Sequence, residues 1–232
     1  MSKLLPISLL ASGLLLVAPA AHAQVKVSIG PVVGETLAKQ HFNNDFKVDY
    51  RFGLVTGAQA YLSWKRFALQ PALLFSQKGY KYLSQTQLNN DPTLLDLTTK
   101  LRLNYLTLPL NFTFAPAGTG TGPQFFAGPY VSMLLSGSLE RNLSGQPDAS
   151  QPIRVANEAD LFDGRPTARR FETGLQGGLG FRYEGLVLQA TYSLGLSTTR
   201  PGYNYLGSPV STAQAYNRGF QVSVGYLFDV TR

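Results

Sequence analysis

Between Gly219 and Asp229 every second residue is apolar: Phe220, Val222, Val224, Tyr226 and Phe228 share one face, while Gln221, Ser223 and Gly225 share the other. A two-residue period is the signature of a strand with one face in an apolar medium. Residues 186–196 repeat it, with Leu186, Leu188, Ala190, Tyr192, Leu194 and Leu196 opposite Val187, Gln189, Thr191, Ser193 and Gly195. Residues 170–183 set Phe171, Leu175, Leu179, Phe181 and Tyr183 against Glu172, Gln176 and Arg182. The same reading gives strands at 24–34, 50–62, 67–79, 101–114 and 123–136, eight segments in all. In 67–79 the apolar face is Phe67, Leu69, Pro71, Leu73 and Phe75; in 101–114 the phase slips near Tyr105-Leu106, which predicts a β-bulge there.

The connections alternate in length. Residues 63–66, 115–122 and 184–185 are short, and Glu184-Gly185 suits a two-residue hairpin. Residues 35–49, 80–100, 137–169 and 197–218 are long and polar, and are expected to be mobile loops. Strict long–short alternation is what an up-and-down transmembrane barrel produces when both termini are periplasmic, with long loops outside and short turns inside. Aromatic residues gather at the short-turn ends: Trp64, Phe67, Phe112, Phe114, Phe125, Phe126, Phe181, Tyr183, Tyr226 and Phe228. They predict an interfacial girdle. Pro71, Pro109 and Pro129 fall inside predicted strands, where a closed ladder has no free edge, so each is expected at a bulge or near a strand end.

Composition sharpens this picture. Charged residues are only 14% of the chain, against about a quarter in soluble domains; alternate residues facing lipid would account for the deficit. There is no cysteine, so disulfides, thiolate zinc sites and cysteine nucleophiles are excluded. Residues 1–23 carry Lys3, an apolar run from Leu4 to Val17, and Ala21-His22-Ala23 before Gln24. That is the layout of a cleavable signal peptide, leaving 24–232 as one barrel domain. No later segment has 18 consecutive apolar residues, which excludes ordinary spanning helices. The net charge is +7 with basic residues scattered. Such a distribution suits anionic lipid and lipopolysaccharide phosphates better than nucleic acid.

The stretches LQPALLFSQKGYKY (69–82), YLTLPLNFTF (105–114) and FFAGPYVSMLLSG (125–137), followed by GLQGGLGFRY (174–183), LQATYSLGL (188–196) and RGFQVSVGYLF (218–228), resemble the PorT-like outer-membrane β-barrel proteins common in Bacteroidota. The likeness spans nearly the whole chain after residue 23, and family members look similar at the QP and LP positions. It implies a barrel in the outer membrane. The member that gives the family its name is associated with assembling a secretion system, a role the resemblance does not carry to this sequence.

Catalytic chemistry has little to work with. His41 is the only histidine after the leader and falls in the first long loop. A general base titrates near neutrality, but no serine is paired with it by sequence, so a solvated loop histidine is the better reading. Gly174, Gly177, Gly178 and Gly180 lack the order and the following Lys-Ser/Thr of a phosphate loop and sit within a strand pattern. Glu158, Asp160 and Asp163 offer oxygen ligands, but not with the spacing of an EF-hand. No cofactor, metal or catalytic residue is assigned.

Lumen-facing positions should include Arg51, Gln59, Gln70, Lys78, Glu172, Gln176, Arg182, Gln189 and Gln221. Eight strands enclose a space that side chains fill, and buried charges must be paired. Glu172 is therefore expected to pair with Arg51 or Lys78 in a structural polar network of Arg51, Lys78, Glu172 and Arg182. The leading functional reading is a non-enzymatic barrel acting through its outer loops, 137–169 and 197–218, on envelope lipid or an envelope protein. The alternatives are a small-solute pore, a lipid-modifying enzyme and a soluble lipocalin-like binder.

Overall fold

The alternation seen in sequence becomes a barrel because each strand needs one face against lipid and every backbone group paired within the sheet. In a computed structural model, the described residues are 25–44, 46–87, 94–143, 149–160, 164–205, 208–210 and 213–230. The 1–23 leader lies outside them. The barrel strands are β1 (Lys26–Phe42), β2 (Arg51–Trp64), β3 (Phe67–Gln87), β4 (Leu94–Phe114), β5 (Gly122–Leu143), β6 (Phe171–Tyr183), β7 (Leu186–Gly195) and β8 (Ala215–Tyr226). Each pairs antiparallel with its sequence neighbours, except that β5 pairs β6 across the longest connection and β1 pairs β8 to close the ring. Phe228–Asp229 extends the closing seam against Ser28 and Ile29.

Outward faces are apolar and inward faces largely polar. Leu179 is 58% exposed, Val222 57% and Phe220 51%, whereas Gln124, Ser132 and Glu172 are 1% exposed or less. The short turns are tight: Lys65-Arg66, residues 115–121, and Glu184-Gly185, whose φ values of 45° and 89° are those of a primed hairpin turn. Near them Phe67, Phe112, Phe114, Phe125, Phe181, Tyr183, Tyr226 and Phe228 point outward. Phe67 stacks between Phe112 and Phe114, at 5.6 and 5.4 Å. Phe126 is the exception, buried in the lumen with its ring beside Gly178.

Several expectations are corrected. The first two long connections are mostly strand. β1 runs on through Phe42, so His41 is not in a loop but pairs with Tyr216 at the top of the β1–β8 ladder. The β3–β4 ladder continues to Gln87↔Leu94, well into the segment expected to be a loop. About ten residues suffice to span a bilayer, so the upper halves of these strands stand in water. With no lipid against the outward face the two-residue hydrophobic signal disappears although the backbone still pairs.

The bulge expected near Tyr105-Leu106 is present in the β4–β5 pair, but its extra residue is not in β4. β4 keeps its alternation, with Leu103 and Tyr105 inward and Leu108 and Leu110 outward; what changes is which face is apolar. The extra residue sits opposite, where register moves from Asn104↔Ser136 to Tyr105↔Leu134 and leaves Leu135 of β5 over. Nor do the prolines sit at bulges or strand ends. The ladder lapses for two pairs beside each one: between Gln59↔Ala72 and Leu62↔Leu69 for Pro71, between Pro71↔Leu110 and Leu74↔Thr107 for Pro109, and between Pro109↔Tyr130 and Phe112↔Ala127 for Pro129. Pro31 does the same at the closing seam, between Ile29↔Phe228 and Val32↔Gly225. Each proline costs a ladder bond, and register resumes unchanged beyond it.

Candidate functional site

The barrel interior is filled in layers. At the turn end, Ser28 Oγ donates to Asp229 Oδ1 at 2.6 Å, and Arg182 lies 3.5 Å from the same oxygen while donating to the Thr119 carbonyl at 3.1 Å. The Arg182 guanidinium stacks over Tyr61, 5.1 Å from its ring centre. Above this, an amide cluster joins Gln59, Gln70 and Gln189, with Gln70 Nε2 donating to Gln59 Oε1 at 2.8 Å and Gln189 Nε2 to Gln70 Oε1 at 3.1 Å. Gln176 donates to Asn111 at 3.0 Å. Next comes a hydroxyl chain, Ser76–Thr107–Ser132, at 2.9 and 2.8 Å.

The strongest charge pairing lies higher. Glu172, 1% exposed, is 3.0 Å from Lys78 Nζ, and it accepts from Tyr130 OH at 2.7 Å and Asn217 Nδ2 at 2.6 Å. Strands β3, β5, β6 and β8 each supply one of these groups. Lys78 Nζ also faces the Tyr130 and Tyr105 rings, 4.6 and 5.2 Å from their centres. A carboxylate deep in a barrel is tolerable only when charge and lone pairs are both met, and this arrangement meets them. Gly174 makes room for it: a Cβ there would fall 2.5 Å from Tyr130 Cζ.

The four residues expected to form one network are thus distributed. Lys78 and Glu172 are together. Arg182 is not with them, since it lies ten residues along β6 from Glu172, roughly 33 Å of strand, and joins Asp229 instead. Arg51 sits half-buried at the outer end of β2, where the charges acting on it are Arg102 and Glu140, not Glu172. Gln59, Gln70 and Gln189 are buried inward, and Gln176 and Gln221 are half-buried. Tyr130, Asn217 and Asp229 were missing from the sequence reading. Tyr130 looks like one more apolar residue of a hydrophobic run, and Asn217 falls in a segment read as loop.

Over the outer mouth, residues of the two long connections after β5 and β7 build a crown. Ala149–Pro152 adds to the β5 edge, and Arg154–Val155 pairs in parallel with Thr167–Ala168. Glu158–Asp160 pairs in parallel with Gly202–Tyr205, which in turn pairs with Ser208–Val210. The connections are therefore tied to each other; Arg169 N–H also donates to the Thr199 carbonyl at 2.9 Å. The expectation of mobile loops is corrected for these segments, because pairing between distant short stretches leaves no local pattern. Of the possible calcium ligands, Asp163 lies outside the described residues and Glu158 is exposed. Among the described residues no three potential metal-ligating side chains come together.

No curated protein sequence matches the chain. Among solved structures, Ail of Yersinia pestis, in complex with the heparin analogue sucrose octasulfate, is similar at 11% identity over 88% of this chain and 99% of its own, with a TM-score of 0.45. Neisserial surface protein A is similar at 14% identity over 87% and 99%, with a TM-score of 0.46. The N-terminal barrel domain of Pseudomonas aeruginosa OprF is similar at 11% identity over 88% and 100%, with a TM-score of 0.32. The model of the outer membrane protein beta-barrel domain family matches residues 21–200. With that match over most of its length and eight antiparallel strands closed into a ring, the chain belongs to the outer membrane protein beta-barrel domain family.

Proposed function

We propose that this protein is a non-enzymatic barrel whose work is done by its outer crown, in binding, assembly or envelope integrity. The observation that carries the reading is the contrast between lumen and mouth. Among the described residues the lumen is filled by side chains in layers from Asp229 to Glu172, as expected of eight strands that enclose room for side chains and not for an open channel. The mouth is covered by connections that are longer than closure needs and are held in defined register. Recognition concentrates on loops carried by a rigid scaffold.

In this reading residues 1–23 are removed on export and 24–232 form the barrel, of the PorT-like kind found in Bacteroidota. Its surroundings are outer-membrane lipid and lipopolysaccharide, and a protein partner would meet segments 137–169 and 197–218. Arg51, Lys78, Glu172 and Arg182 serve structure, not chemistry. His41, exposed at the end of β1, is given no catalytic role.

The test is a variant in which 144–169 and 197–214 are replaced by short turns. It should still migrate faster unboiled than boiled after refolding in detergent, yet fail to restore bile-salt resistance to cells lacking the protein. Full restoration by this variant would overturn the reading, as would steady conductance steps from the intact protein in planar bilayers.

A further inference from the structure

Above the Lys78–Glu172 pair and beneath the crown lies a cavity of about 340 Å3, the size at which sites for small organic ligands begin. Its floor is apolar, made by Leu101, Leu103, Leu139, Ile153 and Ala168. Leu103 and Ala168 also pack with Tyr105 and Leu134. Its walls are different. Arg141 comes from the outer end of β5, Arg200 from the connection after β7, and Arg165 from the connection after β5. Among the described residues lining it there is no carboxylate.

Two of the arginines share a neighbour. Arg141 and Arg200 are the charges acting on the Tyr80 phenol, which lines the same cavity. Arg200 is held in place, with Nη1 donating to the Ala213 carbonyl at 3.4 Å and its guanidinium 5.2 Å from the Phe42 ring centre. Beside it, Thr199 Oγ1 accepts from Gln40 Nε2 at 3.1 Å and donates to the Ala215 carbonyl at 3.1 Å. Arg141 and Arg200 border one partly enclosed space whose described lining carries no carboxylate, and two cations so placed focus a positive potential there. Guanidinium forks match the oxygens of phosphate and sulfate.

We propose that this cavity binds a small organic anion, a phosphate or sulfate ester whose ring or short apolar portion rests on the leucine floor while Arg141 and Arg200 hold the anionic group. The assignment rests on the crown as the binding element and names the chemistry of what it takes. The phosphate ester could be a free metabolite or part of a membrane lipid head group.

The experiment is calorimetric titration of the refolded mature protein, in neutral detergent, with phenyl phosphate, phenol and inorganic phosphate. Phenyl phosphate should bind saturably at one site and about tenfold or more tighter than either control, the scale of one charge-assisted hydrogen bond. R141Q and R200Q should each weaken it by about tenfold while the gel shift on boiling persists. Arg141 is exposed at the rim, so its variant keeps the test sound if R200Q fails to fold. Equal binding of phenyl phosphate and phenol, or unchanged affinity in R141Q, would overturn the assignment. Repeating the titration in phosphatidylcholine nanodiscs with lipid A added separates the sources: weakened phenyl phosphate binding identifies the lipid head group, and unchanged binding a soluble anion. Loss of phenyl phosphate binding with crown-dependent bile-salt resistance intact removes the cavity assignment alone, whereas binding without that dependence removes only the wider functional reading.

Discussion

Glu172 is where a single side chain decides most. Replacing it by Gln leaves Lys78 buried without its counter-charge, a loss expected to cost about 3–5 kcal/mol. Urea unfolding in detergent should show it, and pairing E172Q with K78M should recover a good part; an unchanged midpoint for E172Q would remove the ion pair from the account of stability. Gly174 should behave similarly for a steric reason. A methyl group there meets the Tyr130 ring at 2.5 Å, so G174A is expected to lose about 1–3 kcal/mol, read as a lower thermal midpoint. The inward position of Glu172 and Lys78 was legible from strand phase alone. Their companions were not, because Tyr130 reaches Glu172 diagonally from the paired strand and Asn217 from two strands away, and contact between strands distant in sequence has no imprint along the chain. Arg141 and Arg200 were invisible for the same reason, separated in sequence and joined only by the closing of the crown.

At the level of the strands, legibility followed the solvent. Where one face meets lipid and the other the lumen, the hydrophobic period placed all eight strands and the turns at Lys65-Arg66 and Glu184-Gly185. Where the strands run on beyond the span a bilayer needs, in the upper parts of β1, β3, β4 and β5, the outward face no longer had to be apolar, the period vanished and pairing was missed. The prolines show that ladder continuity is a property of the sheet and not of the residue: four interruptions leave the register intact on both sides. The lipid face gives the matching prediction. Leu179, outward on β6 and 58% exposed, should not tolerate a charge; L179R is expected to destabilise by about 2–4 kcal/mol, measured by reversible folding into phospholipid vesicles. A cost near zero would place Leu179 outside the bilayer.

For the molecule as a whole, a packed lumen and a covered mouth predict electrical silence. The refolded protein should give no discrete current steps in planar bilayers, and E172Q should not create them, since the amide and hydroxyl layers below remain. Steps in E172Q alone would make the Lys78–Glu172 pair a gate. Sequence gave the class of fold through its alternating long and short connections, but it could not show the parallel pairing of Glu158–Asp160 with Gly202–Tyr205. In an up-and-down barrel each outer loop is ordinarily free to change length on its own, because it touches only the hairpin it closes. Here two of them share a ladder, so their lengths are coupled. A foreign epitope spliced between Gln87 and Leu94 should be displayed with little harm, while the same splice within Glu158–Asp160 would need a compensating change near Gly202, and such insertions would have to be gained or lost in pairs.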